Sequence, residues 1–154
     1  MPTKFVAMSE FAKPLEEASP FGTHIGKSSG RPFSPEELGL PMQKLTTSGV
    51  KVTPEGVNNV KMHTARFGED SANAAMIQRL EAISRGEMEP TSYDINYYTH
   101  ELRELQHYEA LGYKTGVPEN PDVAHQLWNN THTATLEEYG LTGSELYHPE
   151  VLSD

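Results

Sequence analysis

Histidine and glutamate recur at helical spacing in two stretches of this chain, and they are the side chains best suited to chemistry. His100, Glu101, Glu104 and His107 fall in one stretch, and His125 and His132 in another, with the same seven-residue interval between the outer histidines of each. Imidazole changes charge near neutral pH, and a carboxylate beside it tunes that change, so the pair can pass a proton to and from a scissile bond. In this reading His100 and His132 exchange protons with the substrate, and Glu101 orients one of them or acts as base. The same side chains also bind divalent metals. A metal, if used, would take His100 and Glu104, one turn apart, together with His107 or His132. The segment His100-Glu101-Leu102-Arg103-Glu104 opens like the helical zinc-protease signature, but Glu104 stands where the second histidine belongs. Further along the chain toward the N-terminus, His63 borders an apolar stripe and Arg66 follows three residues later. Arg66 could offset phosphate charge, or it could pair with a surface acid.

These residues also have plainer explanations. On a helix turning about 100° per residue, Ile95, Tyr98, Leu102 and Leu105 form an apolar stripe, and His100, Glu104 and His107 lie almost opposite. A helix that buries one stripe usually gives the other face to water, so His100 and His107 are expected either as solvated side chains or as one wall of a cleft. His125, Trp128, His132, Leu136 and Tyr139 share the apolar face of the next helix. His132 is therefore either a core histidine bonded to a carbonyl or a semi-buried general acid–base.

The elements that must hold these groups are punctuated as helices. Thr53 caps a helix that starts at Pro54 and ends before Gly68. A second runs from Asp70 or Ser71 to Gly86, with Ala72, Met76, Leu80 and Ile83 on one stripe. Thr91 with Asp94 forms a capping-box-like start for a third, which stops at Gly112. The fourth begins at Asn120-Pro121-Asp122 and ends at Gly140. The expected fold is mainly α, a small bundle of about four helices over residues 49–154. Residues 1–48, rich in Pro, Gly and Ser, read as an extended or partly disordered arm. Within it Ser34-Pro35-Glu36-Glu37-Leu38 could make one helical turn, and Gly49-Val50-Lys51-Val52-Thr53 could make one short strand. The tail after Leu141 reads as coil around short turns.

Composition narrows the options. The chain has no cysteine, which removes disulfides, thiolate nucleophiles and cysteine-bound zinc. Apolar residues make up 36%, so the core should be modest. No apolar run approaches a membrane span, and the first residues lack the apolar stretch of a secretory signal. The net charge is −10, from 22 acidic and 12 basic residues, which disfavours a broad nucleic-acid footprint but allows a small site with local positive charge.

Several segments form a familiar series. They are Leu45-Thr46-Thr47-Ser48-Gly49-Val50, Gly56-Val57-Asn58-Asn59-Val60 with Arg66-Phe67-Gly68, and Tyr97-Tyr98-Thr99-His100-Glu101-Leu102-Arg103-Glu104. Leu127-Trp128-Asn129-Asn130-Thr131-His132-Thr133-Ala134-Thr135-Leu136-Glu137 and Leu146-Tyr147-His148-Pro149-Glu150 complete it. Over residues 44–150 this series resembles the C-terminal modules of large bacterial polymorphic toxins, the Rhs and contact-dependent growth inhibition class. The resemblance carries no site residues with it. It implies export at the end of a larger protein, action in the recipient cytoplasm, a cognate immunity protein as partner, and commonly RNA or DNA as substrate. Nuclease modules of this kind are often basic, and this chain departs from that pattern.

The leading expectation is thus a toxin effector domain acting as a nuclease or other hydrolase through His100, Glu101, His132, Arg66 and His63, with or without a divalent metal. The alternatives are a zinc-dependent peptidase-like hydrolase and a non-catalytic helical module whose acidic face docks a basic partner.

Overall fold

The structure is a computed structural model and describes residues 22–152. The first part of the arm, residues 1–21, and residues 153–154 lie outside the described residues. The fold is mainly α. Its frame is α1 (Pro54–Ala65), α2 (Ser71–Ser84), α3 (Ser92–Ala110) and α4 (Pro121–Tyr139), followed by a 3-10 turn at Gly143–Glu145 and a short α5 (Pro149–Leu152).

Each long helix starts where a side chain can satisfy its first free amides. Thr53 accepts from Gly56 N, Asp70 from Asn73 N, and Asn120 from Asp122 N and Val123 N. Thr91 and Asp94 form a reciprocal capping box at the head of α3. Gly140 ends α4 in the left-handed region at φ 68°, where a side chain would be strained.

Residues Gly49–Thr53 form no strand. Val50 and Val52 instead pack against the main apolar cluster, so the brief alternation reflects burial at the edge of the core rather than sheet pairing. The strands that do form lie within the arm, as a two-residue antiparallel pair of β1 (His24–Ile25) with β2 (Pro32–Phe33). The expected helical turn after Ser34 is a 3-10 turn at Pro35–Glu37.

From residue 22 the arm lies on α4, held through polar side chains of that helix. The amides of Ser28 and Ser29 donate to the Glu137 carboxylate at 2.7–3.1 Å. Ser34 N donates to Asn130 Oδ1, Asn129 Nδ2 to Pro32 O, and Gln43 N to Glu138 Oε2. Arg31 donates to Thr133 Oγ1 and Asn129 Oδ1. These bonds match backbone groups that would otherwise lose water when the arm packs down.

Of the two alternatives for the polar face of α3, solvated side chains or a wall closed over by another segment, the first is overturned. His100, Glu104 and His107 are all buried, with His100 and His107 at 0% exposure. Leu102, on the expected apolar stripe, is only partly buried. The reason is position: α3 packs against α1, α2 and α4, so it has no wholly wet face. Two apolar clusters flank its polar middle. One contains Val57, Val60, Met76, Leu80, Tyr97, Tyr98 and Leu136; the other contains Phe67, Tyr108 and Trp128.

The head of α3 shows how a buried charge is matched. Asp94 takes a two-pronged bond from Arg79 of α2 at 2.8 and 2.9 Å, and accepts from Thr91 N and Oγ1. Burial opposes ionisation of Asp94, but the bonds from Arg79 and Thr91 outweigh it and hold the carboxyl below its ordinary range. The stabilisation is therefore present above the unfolded value of about 3.9 and lost as pH falls through the depressed folded value. Asp94→Ala is expected to cost about 2–4 kcal/mol in urea unfolding at pH 7, by loss of a cap and a buried ion-pair partner. The gap from wild type should close as pH is lowered below about 4. A gap independent of pH would contradict this assignment.

Candidate metal centre

Close helix packing brings the histidines and glutamates together. Gly56 of α1 lies against Tyr98 of α3, where a Cβ would collide with the Tyr98 hydroxyl. Tyr98 Oη also accepts from Thr53 N at 3.3 Å. His63 is two turns beyond Gly56 on the same face of α1, and Glu101 and Glu104 follow Tyr98 by three and six residues on α3. The close approach at Gly56 thus sets His63 against the two glutamates. His132 enters from α4, where Trp128 stacks on it at 4.5 Å with the ring planes 15° apart.

Five side chains meet there: His63, His100, Glu101, Glu104 and His132. Glu104 is the node. Its Oε1 is 2.7 Å from His63 Nε2, and its Oε2 is 3.2 Å from His100 Nε2 and 3.3 Å from His132 Nδ1. His100 Nε2 and His132 Nδ1 are themselves 3.0 Å apart. Glu101 Oε1 is 3.6 Å from His63 Nε2.

With Glu104 ionised, hydrogen bonds leave one contact of this arrangement unmatched. His100 Nε2, His132 Nδ1 and Glu104 Oε2 are in mutual contact. Every favourable pair needs one donor and one acceptor, and three groups in a closed triangle cannot be divided that way. With the carboxylate ionised, one pair is donor against donor or acceptor against acceptor, whatever the tautomers. A cation at the centre removes the conflict, because all three atoms then present lone pairs to it. The size agrees. Zinc bonds to N and O of about 2.0–2.1 Å imply ligand–ligand edges of about 3.3–3.4 Å in a tetrahedron. The observed edges are 3.0, 3.2 and 3.3 Å.

The charge states suit the same role. Burial opposes ionisation of Glu104, but hydrogen bonds from His100, His132 and His63 outweigh it and hold its carboxyl well below the usual carboxylate range. Burial lowers the His63 value against the pull of Glu104, which favours neutral imidazole. An anionic carboxylate and a neutral imidazole are the ligand forms.

The other expected site residues are placed apart from this group. His107 Nε2 bonds Glu138 Oε1 at 2.9 Å, and Arg103 grips the same carboxylate at 2.7 and 3.1 Å. His107 therefore serves a separate buried ion pair. Glu138 was not singled out from the sequence, and nothing in its spacing marks it. Arg66 does not pair with a surface acid. It donates to the carbonyls of His63, Tyr113, Lys114 and Gly116, and its guanidinium lies 4.3 Å from the Tyr108 ring centre. It pins the loop after α3 to the end of α1, with its donors committed to backbone. His125 is half-buried and stays at the outer edge, tilted against Trp128.

No family model, curated protein or solved structure matches the chain. The functional reading therefore rests on the site. Three ligands from two helices can hold a divalent ion and leave a fourth position for water, whose pKa such an ion lowers toward about 7.

Two outcomes follow from the geometry. The chain has a single tryptophan, Trp128, stacked on His132. Adding Co2+ should quench its emission to saturation in wild type and leave Glu104→Gln and His132→Gln unchanged; equal behaviour in all three would count against the centre. Separately, Glu138→Ala should cost about 3–5 kcal/mol in urea unfolding, because it strands the buried Arg103 without a partner. A loss below about 1 kcal/mol would show that the pair is solvated.

Proposed function

We propose that the chain is a metal-dependent hydrolase domain, a toxin effector in which His100, Glu104 and His132 hold a divalent ion that activates water. The observation that carries this reading is the buried triangle of ligand atoms, closed at near-tetrahedral spacing. The sequence resemblance to polymorphic-toxin modules supplies the biological setting: export within a larger protein, action in the recipient cytoplasm, and neutralisation by an immunity protein. A phosphodiester of RNA or DNA is the favoured substrate. Arg31, 5.2 Å from the Trp128 ring centre, brings positive charge to the outer side of the stack that covers His132. That local charge fits a small phosphate contact rather than a broad basic footprint, consistent with the acidic chain. A peptide bond is the alternative substrate, suggested by the partial zinc-protease pattern at His100–Glu104. No helix among the described residues is long and apolar enough to cross a membrane.

One observation favours a second, non-catalytic reading. The five side chains of the centre are all buried, and structural metal sites are closed in this way. A hydrolase built here must admit its substrate by movement of a covering element. A structural ion would instead lock α3 to α4 in an interaction module.

Induced expression in a bacterial cytoplasm separates these readings. Wild type is expected to arrest growth and degrade total RNA or DNA, while Glu104→Gln and His132→Gln at equal, folded levels are harmless. The purified domain should lose its activity on chelation and regain it with Zn2+ or Mn2+. A folded wild type that leaves growth, nucleic acids and protein substrates untouched, and that only melts earlier on chelation, would establish the structural reading instead.

A further inference from the structure

Two buried titratable side chains of the centre, His63 and Glu101, lie outside the first set of ligands. His63 meets Glu104 at the oxygen that His100 and His132 do not face, and Glu101 lies 3.6 Å from His63 Nε2. His63, Glu101 and Glu104 offer ligand atoms within 4.8 Å of one another, as do His100, Glu104 and His132. The only residue common to both sets is Glu104, and its two oxygens are divided between them. Oε1 faces His63 at 2.7 Å, and Oε2 faces His100 and His132 at 3.2 and 3.3 Å.

We propose that the centre is dinuclear, with Glu104 bridging one divalent first-row ion held by His100 and His132 and a second held by His63 and Glu101. This rests on the metal-dependent reading above and extends it to the second ion. A carboxylate that gives one oxygen to each of two ions is the ordinary bridge of two-metal sites, whose ions lie about 3.5–4 Å apart. The two positions differ in chemistry. The first, with two imidazoles and one carboxylate oxygen at nearly equal spacing, suits tetrahedral zinc. The second has one imidazole and two carboxylates at uneven spacing, 2.7 Å and 3.6 Å from His63 Nε2 to Glu104 and Glu101. Its richer oxygen content suits a site that completes its shell with water and accepts Mn2+ as well as Zn2+. The competing role for His63 is to donate Nε2–H to Glu104 and orient it as a ligand.

Metal content decides between them. The full chain is stripped with chelator, reloaded with Zn2+, passed through gel filtration and assayed for zinc per chain. Two ions per chain in wild type and one in Glu101→Gln, a nearly isosteric change, are expected. Loading wild type with Mn2+ should give the exchange-coupled electron paramagnetic resonance spectrum of a metal pair, a readout that needs no variant to fold. One zinc per chain in both proteins with an uncoupled Mn2+ signal would overturn the second ion and leave the single-ion reading intact. No retained zinc in wild type would overturn both.

Discussion

A helix buried on its polar side is the constraint on which this structure depends. α3 carries Asp94, His100, Glu101, Arg103, Glu104 and His107, all of them buried, and it is enclosed by α1, α2 and α4. Each buried charge must be matched inside the protein, because desolvating it alone costs several kcal/mol. The matches are made by neighbouring helices, so they also fix how the helices sit. Arg79 of α2 answers Asp94, and Glu138 of α4 answers Arg103 and His107. Glu104 is answered differently. Its ion-pair partners among the described residues are three imidazoles, and Arg66 acts on it from further off. Burial holds His63 toward its neutral form, which leaves Glu104 less directly matched than Asp94 or Glu138. A divalent ion fits that deficit.

The apolar groups frame this layer. Along α1, His63 falls between Val60 of one apolar cluster and Phe67 of the other. Along α4, His132 falls between Trp128 and Leu136, and along α3, Glu104 falls between Tyr98 and Tyr108. Low-polarity packing on both sides strengthens every electrostatic interaction in between. The arm adds cover on the far side of α4, where Glu137, Asn130 and Asn129 hold its backbone and Arg31 lies over Trp128. The polar outer face of α4 is thus as fully used as its inner one.

Much of the frame was legible in the sequence because it is written in local chemistry. Thr53-Pro54, Asp70-Ser71, Thr91 with Asp94, and Asn120-Pro121 are caps whose function needs only the next few residues, and the helices begin where they stand. The polarity of α3 misled for a physical reason. Periodicity assigns one face to core and the other to water, which holds for a helix with one neighbour but not for one enclosed by three. The informative signal was the spacing His100, Glu101, Glu104, His107 combined with His63 on α1 and His125 and His132 on α4. That pattern names possible ligands, and His132 was correctly set on a buried face. It could not say that His63 would come to Glu104 or that His107 would turn to Glu138. Those pairings depend on where α1 and α4 cross α3, through contacts such as Gly56 on Tyr98. The roles of Glu138 and Arg66 are likewise settled by distant partners, a carboxylate clasped by α3 and a guanidinium bonded to a loop.

The most direct test of the account is anomalous diffraction from crystals of the zinc-loaded chain, with data collected on either side of the zinc absorption edge. The account predicts a strong peak enclosed by His100 Nε2, His132 Nδ1 and Glu104 Oε2. Full zinc loading with peaks only at exposed side chains such as His24, and none among these three atoms, would contradict it.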